Sequence, residues 1–167
     1  MPGSRSKKTC YLDIETTGLD PSTSELTVIG LYLDDPSEQR VVQLVGDEIS
    51  KTRLRKICSK VKVFYTYNGK RFDLPFIKAK LGFDLASSCL HKDLMYDCWQ
   101  RNLYGGLKEV ERKLGIRREL TGIDGRAAVQ LWFNYLLYGE QKFLTTLLEY
   151  NREDVLNLKA LRKKLDV

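Results

Sequence analysis

Histidine is almost missing from this chain: the 167 residues contain one, His91. A Ser-His-Asp or Cys-His site would rest entirely on that residue, and a structural zinc site lacks its closely spaced Cys and His ligands. Cysteine is sparse as well. Cys10, Cys58, Cys89 and Cys98 include no C-x-x-C pair, and the first two stand in apolar runs where a small hydrophobe would serve, so reduced and mostly buried thiols are expected. No apolar run approaches the roughly 20 residues of a membrane span. Residues 1–8 are short and polar, so they read as a flexible N-terminus, and the chain as a cytoplasmic protein without membrane contact.

What the chain does have is size and basic charge. A hydrophobic content of 43% over 167 residues fills one core comfortably and would cramp two, so residues 9–167 read as a single domain. Lys and Arg number 28 against 22 Asp and Glu. The resulting excess suits a polyanionic partner and is equally ordinary for a basic surface.

Hydrophobic spacing sets the order of elements. Thr9 to Ile14 alternates Cys10, Leu12 and Ile14 against Tyr11 and Asp13, as a strand does, and Thr17-Gly18-Leu19-Asp20-Pro21 breaks it. Residues 25–33 and 40–45 are two further β-rich runs, completing a three-strand meander. Residues 50–59 have helical spacing, and 61–67 form a fourth strand ending at Asn68-Gly69. Residues 72–81 read as a helix broken in its first turn by Pro75, and 92–98 fit either a short strand or a helix start. Helices follow at 107–114, 126–138 and 142–165. Strands first and helices afterwards, with a helical crossover, predict an α/β fold: a mixed sheet with helices on both faces.

Against that order the carboxylates fall in a pattern. Residues two apart on a strand share a face, so Asp13 and Glu15 project together, opposite Leu12 and Ile14. Two acids so placed repel unless a cation binds or a proton is shared, and a hard divalent ion would suit them. A strand that stops at Asp13, leaving Glu15 solvated, fits the same residues. Asp73 lies where a strand turns through Asn68-Gly69 into a helix, a position also natural for an acid at a helix N-terminus. Asp154 lies on the stripe of Leu147, Leu158 and Leu161, four residues after Tyr150, so it points inward. Either a buried pairing with a distant Arg or Lys or a metal would answer its charge. Glu149 and Glu153 read as solvated. Together, these carboxylates could hold two metal ions about 4 Å apart astride a phosphate.

Asp13-Ile14-Glu15-Thr16-Thr17-Gly18-Leu19, then Asn68 to Asp73, then Tyr150-x-x-x-Asp154 resemble the three exonuclease motifs of the DEDD superfamily, tyrosine subtype, over about residues 9–162. More narrowly, Tyr67-Asn68-Gly69-Lys70-x-Phe72-Asp73, Asp93-Leu94 and Tyr150-Asn151-Arg152-Glu153-Asp154-Val155 look like the YprB-like branch, similar in spacing to the proofreading domain of family B DNA polymerases. The resemblance implies a ribonuclease-H-like fold with a five-stranded sheet and a 3′ to 5′ exonuclease acting on single-stranded DNA or RNA ends. It further implies that Asp13, Glu15, Asp73 and Asp154 bind two magnesium or manganese ions and that Tyr150 orients the attacking water. Thr16, Thr17, Gly18 and Leu19 would meet the terminal nucleotide, and Asn68 would steady the substrate strand or the turn. Asp93 matches a position of the branch where an acid supporting the ligands and a helix cap fit equally well.

Lys70 and Arg71 beside the second motif suit a phosphate track, as do Lys108, Arg112, Lys113, Arg117 and Arg118 around one helix. The aromatic run Trp132-Phe133-Asn134-Tyr135, with Tyr138, reads as core rather than as a stacking platform. Two rival readings use the same residues: an endonuclease cutting RNA in a hybrid duplex, and a catalytically weak nucleic-acid-binding module recruiting a helicase or repair complex through its apolar late helix.

Overall fold

The computed structural model describes residues 8–167, so the N-terminal flexibility expected for 1–8 lies outside the described residues except at Lys8, which opens a strand. Five strands, β1 (Lys8–Thr16), β2 (Leu26–Asp35), β3 (Glu38–Val45), β4 (Val61–Thr66) and β5 (Leu90–Asp93), form one sheet in the order β3-β2-β1-β4-β5. The β1–β2 and β2–β3 pairs are antiparallel, as a meander requires, whereas β4 joins β1 and β5 joins β4 in parallel through helical crossovers. This is the expected mixed sheet. The ambiguous stretch after residue 89 splits into strand and helix, with Asp93 as the last residue of β5 and the cap of the next helix.

The pleat of β1 assigns the two faces. Cys10, Leu12 and Ile14 point to one side with Ile29, Leu31 and Phe64, where α1 (Lys51–Cys58) adds Leu54 and α2 (Asp73–Leu81) adds Phe76 and Ile77. On the other side Tyr11 stacks between Tyr32 and Tyr65, with ring centroids 6.0 and 5.5 Å away. These rings lie under α3 (Leu94–Trp99), α4 (Leu107–Leu114) and the long α6 (Gln141–Leu165), which contribute Leu94, Val110, Val155, Leu158 and Leu161. Cys10, Cys58 and Cys98 are buried, Cys89 is partly so, and all four thiols are free.

Two expectations fail for physical reasons. Pro75 does not break α2: it is the third residue of a helix running unbroken from Asp73, where a backbone N–H would have no partner one turn back. The aromatic helix, α5 (Gly125–Tyr138), is not core. Only Ala128 of it is buried, while Phe133, Leu136, Leu137 and Tyr138 are exposed, Leu137 by 73%. α5 leans on α6 along one side, its inner residues Ala128, Leu131 and Trp132 packing near Leu147 and Tyr150. His91 is a satisfied edge residue, stacked on Phe64 at 4.8 Å and hydrogen-bonded to Thr66 Oγ1 at 2.8 Å.

Candidate metal centre and its groove

β1 runs through Glu15 to Thr16 before it bends, so Asp13 and Glu15 leave the sheet on the same side, facing α6. Across from them Tyr150 and Asp154 stand one turn apart on the buried side of α6. Asp13, Glu15 and Asp154 each offer a carboxylate oxygen within 4.8 Å of the others. Asp73, buried at the first turn of α2, stands beside this trio rather than in it: its Oδ1 accepts a hydrogen bond from the Ile14 amide at 3.2 Å, between the two β1 acids.

Crowding four acids into a buried pocket resists their ionisation. Burial, then the Asp154, Glu15 and Asp73 charges, holds Asp13 well above the ordinary carboxylate range, and burial with Asp154 does the same to Glu15. Burial is also the main cause that lifts Asp73 to about 7 and Asp154 to about 6, the latter moderated by Arg118. Oxygen donors alone, buried or half-buried, mutually repelling and not offset by a histidine or thiol, are the ligand set of a hard divalent cation, and these residues fit one. Tyr150 is pushed upward from the phenol range, first by burial and then by the acids around it, so it is a neutral hydroxyl at any physiological pH.

The residues that hold this cluster were not all foreseen. Asn151, fully buried, donates from Nδ2 to Asp13 Oδ2 at 3.1 Å and accepts from Gln43 Nε2 at 3.0 Å, tying α6 to β1 and β3. It fits because β2 has Gly30 opposite: a Cβ there would lie 2.0 Å from the Asn151 Oδ1. An isolated glycine inside a strand signals such a close approach. Arg118 lies under Asp154, to which it donates at 2.5 Å, and Glu111 of α4 grips it through two 2.8 Å bonds. Asp154 thus has both the distant arginine and the acidic cluster that its position allowed. Glu153, expected in solvent, instead accepts from the Leu120 and Glu119 amides and lies 3.5 Å from Arg118. Glu149 is exposed as expected.

The basic group therefore divides. Lys108 turns inward, its ammonium 4.5 Å from the Tyr150 ring centroid and bonded to the Ile123 carbonyl. Arg112 and Lys113 pair with Glu109, and exposed Arg117 pairs with Glu119. Lys70 and Arg71 lie over Tyr96 and Trp99 of α3, 5.7 and 5.4 Å from the ring centroids, and neither lines the groove above the carboxylates.

That groove has a volume of about 560 Å³ and is bordered by Thr16, Gly18, Leu19, Phe72, Arg126 and Val129. Leu19 is 85% exposed at its rim. Thr17 is not among the residues lining it and exchanges hydrogen bonds with the Glu25 backbone that close the loop. Asn68 serves the turn: at φ +61° its carbonyl accepts from the Arg71 and Phe72 amides. Asp93 accepts from the amides of Asn68, Lys70 and Met95, so it both caps α3 and fixes the turn that delivers Asp73.

The architecture has counterparts. The family B DNA polymerase of the archaeon Pyrobaculum calidifontis matches with a TM-score of 0.73 at 17% identity, over 95% of this chain and 24% of the polymerase. Brucella melitensis NrnC matches with a TM-score of 0.64 both bound to pGG and with bound Mg2+, at 20% and 23% identity, over 99% of this chain and 76% of NrnC. At these identities the likeness is one of fold. In sequence, the uncharacterized protein YprB of Bacillus subtilis is 30% identical over 170 residues, and the matched part covers 90% of this chain and 40% of YprB. The family model for the ribonuclease H (RNase_H) superfamily matches residues 10–166, every strand and helix that carries the carboxylates, and the chain belongs to that superfamily.

Proposed function

We propose that this protein is a metal-dependent 3′ to 5′ exonuclease that hydrolyses phosphodiester bonds at single-stranded DNA or RNA ends. The observation that carries the reading is the convergence of Asp13, Glu15 and Asp154 within 4.8 Å, with Asp73 alongside, at the floor of an open groove. Asp13, Glu15, Asp73 and Asp154 would hold two divalent ions, magnesium or manganese. Such ions, when bound, supply activation of a water and stabilisation of the departing 3′ oxygen. Tyr150, a neutral phenol in this setting, orients the attacking water by hydrogen bonding and does not act as a base. Thr16 and Gly18 meet the terminal sugar, and Leu19 and Phe72 flank its base as apolar walls of the groove. Lys70 and Arg71 meet phosphates further along the strand. NrnC, of the same fold, has been solved with bound Mg2+ and with pGG, which supports a metal and an oligonucleotide here.

The test is digestion of DNA and RNA single strands labelled at the 5′ or 3′ end, with magnesium, manganese or chelator, by the wild type and Asp13→Ala. A ladder shortening from the 3′ end, dependent on metal and lost in the variant, is the expected result. Internal cuts in a hybrid duplex would replace this reading by the endonuclease, and binding without cleavage by the non-catalytic module.

A further inference from the structure

We propose that Arg118 is the positioning residue of the metal centre: clamped by Glu111, it holds the Asp154 carboxylate in the orientation that binds the ion. The inference rests on the proposed role of Asp154. Arg118 leaves the loop after α4 and is nearly buried, its side chain 9% exposed. Its Nε and one Nη donate in parallel to both oxygens of Glu111, at 2.8 Å each, and Glu111 is 2% exposed. A planar guanidinium held by such a fork cannot swing, so the N–H it directs at Asp154 Oδ1 is fixed in space.

The charges explain why the arrangement assists a cation instead of replacing one. A free arginine on Asp154 would compete with a metal ion for the same negative charge. Here the buried Glu111 cancels the Arg118 charge, with Glu153 a further 3.5 Å acceptor, so Asp154 receives an oriented donor from a pair of no net charge. Asp13 has the same kind of partner in the neutral Asn151 amide. Both ligands would then be aimed by hydrogen bonds that leave the cluster's negative charge for the ion.

The measurement is Mn2+ binding to the whole protein by electron paramagnetic resonance, beside thermal unfolding with chelator, for wild type, Asp154→Ala, and the double variant Glu111→Leu with Arg118→Met. The double substitution removes one negative and one positive charge together, so Glu111 is not left unpaired; Asp154 and Glu153 lose the Arg118 contact, and the chelated melt reads whether the fold survives. The expected result is a protein that remains folded in chelator, with an Mn2+ dissociation constant raised about 10- to 100-fold. An unchanged constant would overturn the positioning role, and tighter binding would make Arg118 a competitor of the metal. Arg118→Lys, which keeps a charge for Glu111 but has no fork, should weaken Mn2+ binding in the same direction, and wild-type affinity in it would also overturn the inference. If wild type and Asp154→Ala bind Mn2+ alike, Asp154 is no ligand, and the proposed metal centre falls together with the inference.

Discussion

The two faces of β1 are built by alternate residues of one strand and have opposite characters. Cys10, Leu12 and Ile14 enter a dry core beneath α1 and α2, while Tyr11, Asp13 and Glu15 meet α6 through aromatic rings at one end and carboxylates at the other. On the first face each side chain is worth its burial. On the second, the acids are crowded against their preference and are held by partners, Asn151 for Asp13 and Arg118 for Asp154, while Asp73 reaches in from α2 to the Ile14 amide. One face stabilises the sheet, and the other spends some of that stability on a site.

Substitutions can separate the two faces. The largest effect on function is expected at the acids: Asp13→Ala or Asp154→Ala should reduce metal-dependent cleavage of end-labelled strands to background. Metal-free stability should not fall in Asp13→Ala, because repulsion is relieved, whereas Asp154→Ala should gain less by also losing the Arg118 contact. Thermal melts with chelator check this, and a strongly destabilised Asp13→Ala would contradict it. Leu12→Ala should do the reverse, costing about 2–5 kcal/mol in urea unfolding while turnover per folded molecule stays near wild type.

Tyr150→Phe should slow turnover on the order of 10²-fold with metal affinity little changed. Equal rates would remove the water-orienting role. Gly30→Ala should cost about 1–3 kcal/mol by driving a methyl against Asn151, and weaken metal binding through Asp13. The remaining effect is one of pH. Asp73 and Asp154 keep their protons up to about 7 and about 6 in the fold, while the unfolded chain releases them near the ordinary value of 3.8. Their protonated forms therefore stabilise the fold fully below 3.8, and that contribution is lost progressively as pH rises from 3.8 and is gone above about 7. With chelator, melting temperature should drop across that interval, less steeply in Asp73→Asn, and magnesium should restore it.

How far the site was legible follows from the period of each element. Asp13 and Glu15 could be placed together because strand alternation is strict, and Asp154 because Leu147, Leu158 and Leu161 mark the inward stripe of α6. Arg118 reads in the sequence as part of a phosphate track because its partners, Glu111 and Asp154, become neighbours only in the folded chain. A signal did exist: Glu111 stands four residues after Leu107 and next to buried Val110, a carboxylate on an apolar stripe. Gly30 was a second. The misreading of α5 has the opposite cause, since apolar composition without a partner on most sides does not bury a helix.

The cluster also spans the length of the fold. Asp13 and Glu15 come from β1, Asp73 from the start of α2, Arg118 from the loop after α4, and Tyr150 and Asp154 from α6. A chain interrupted before residue 154 lacks one carboxylate of the cluster, and one interrupted before residue 151 also lacks the amide that holds Asp13. The cluster is therefore a product of the whole described fold, closed only by the helix that packs across the sheet last in sequence order.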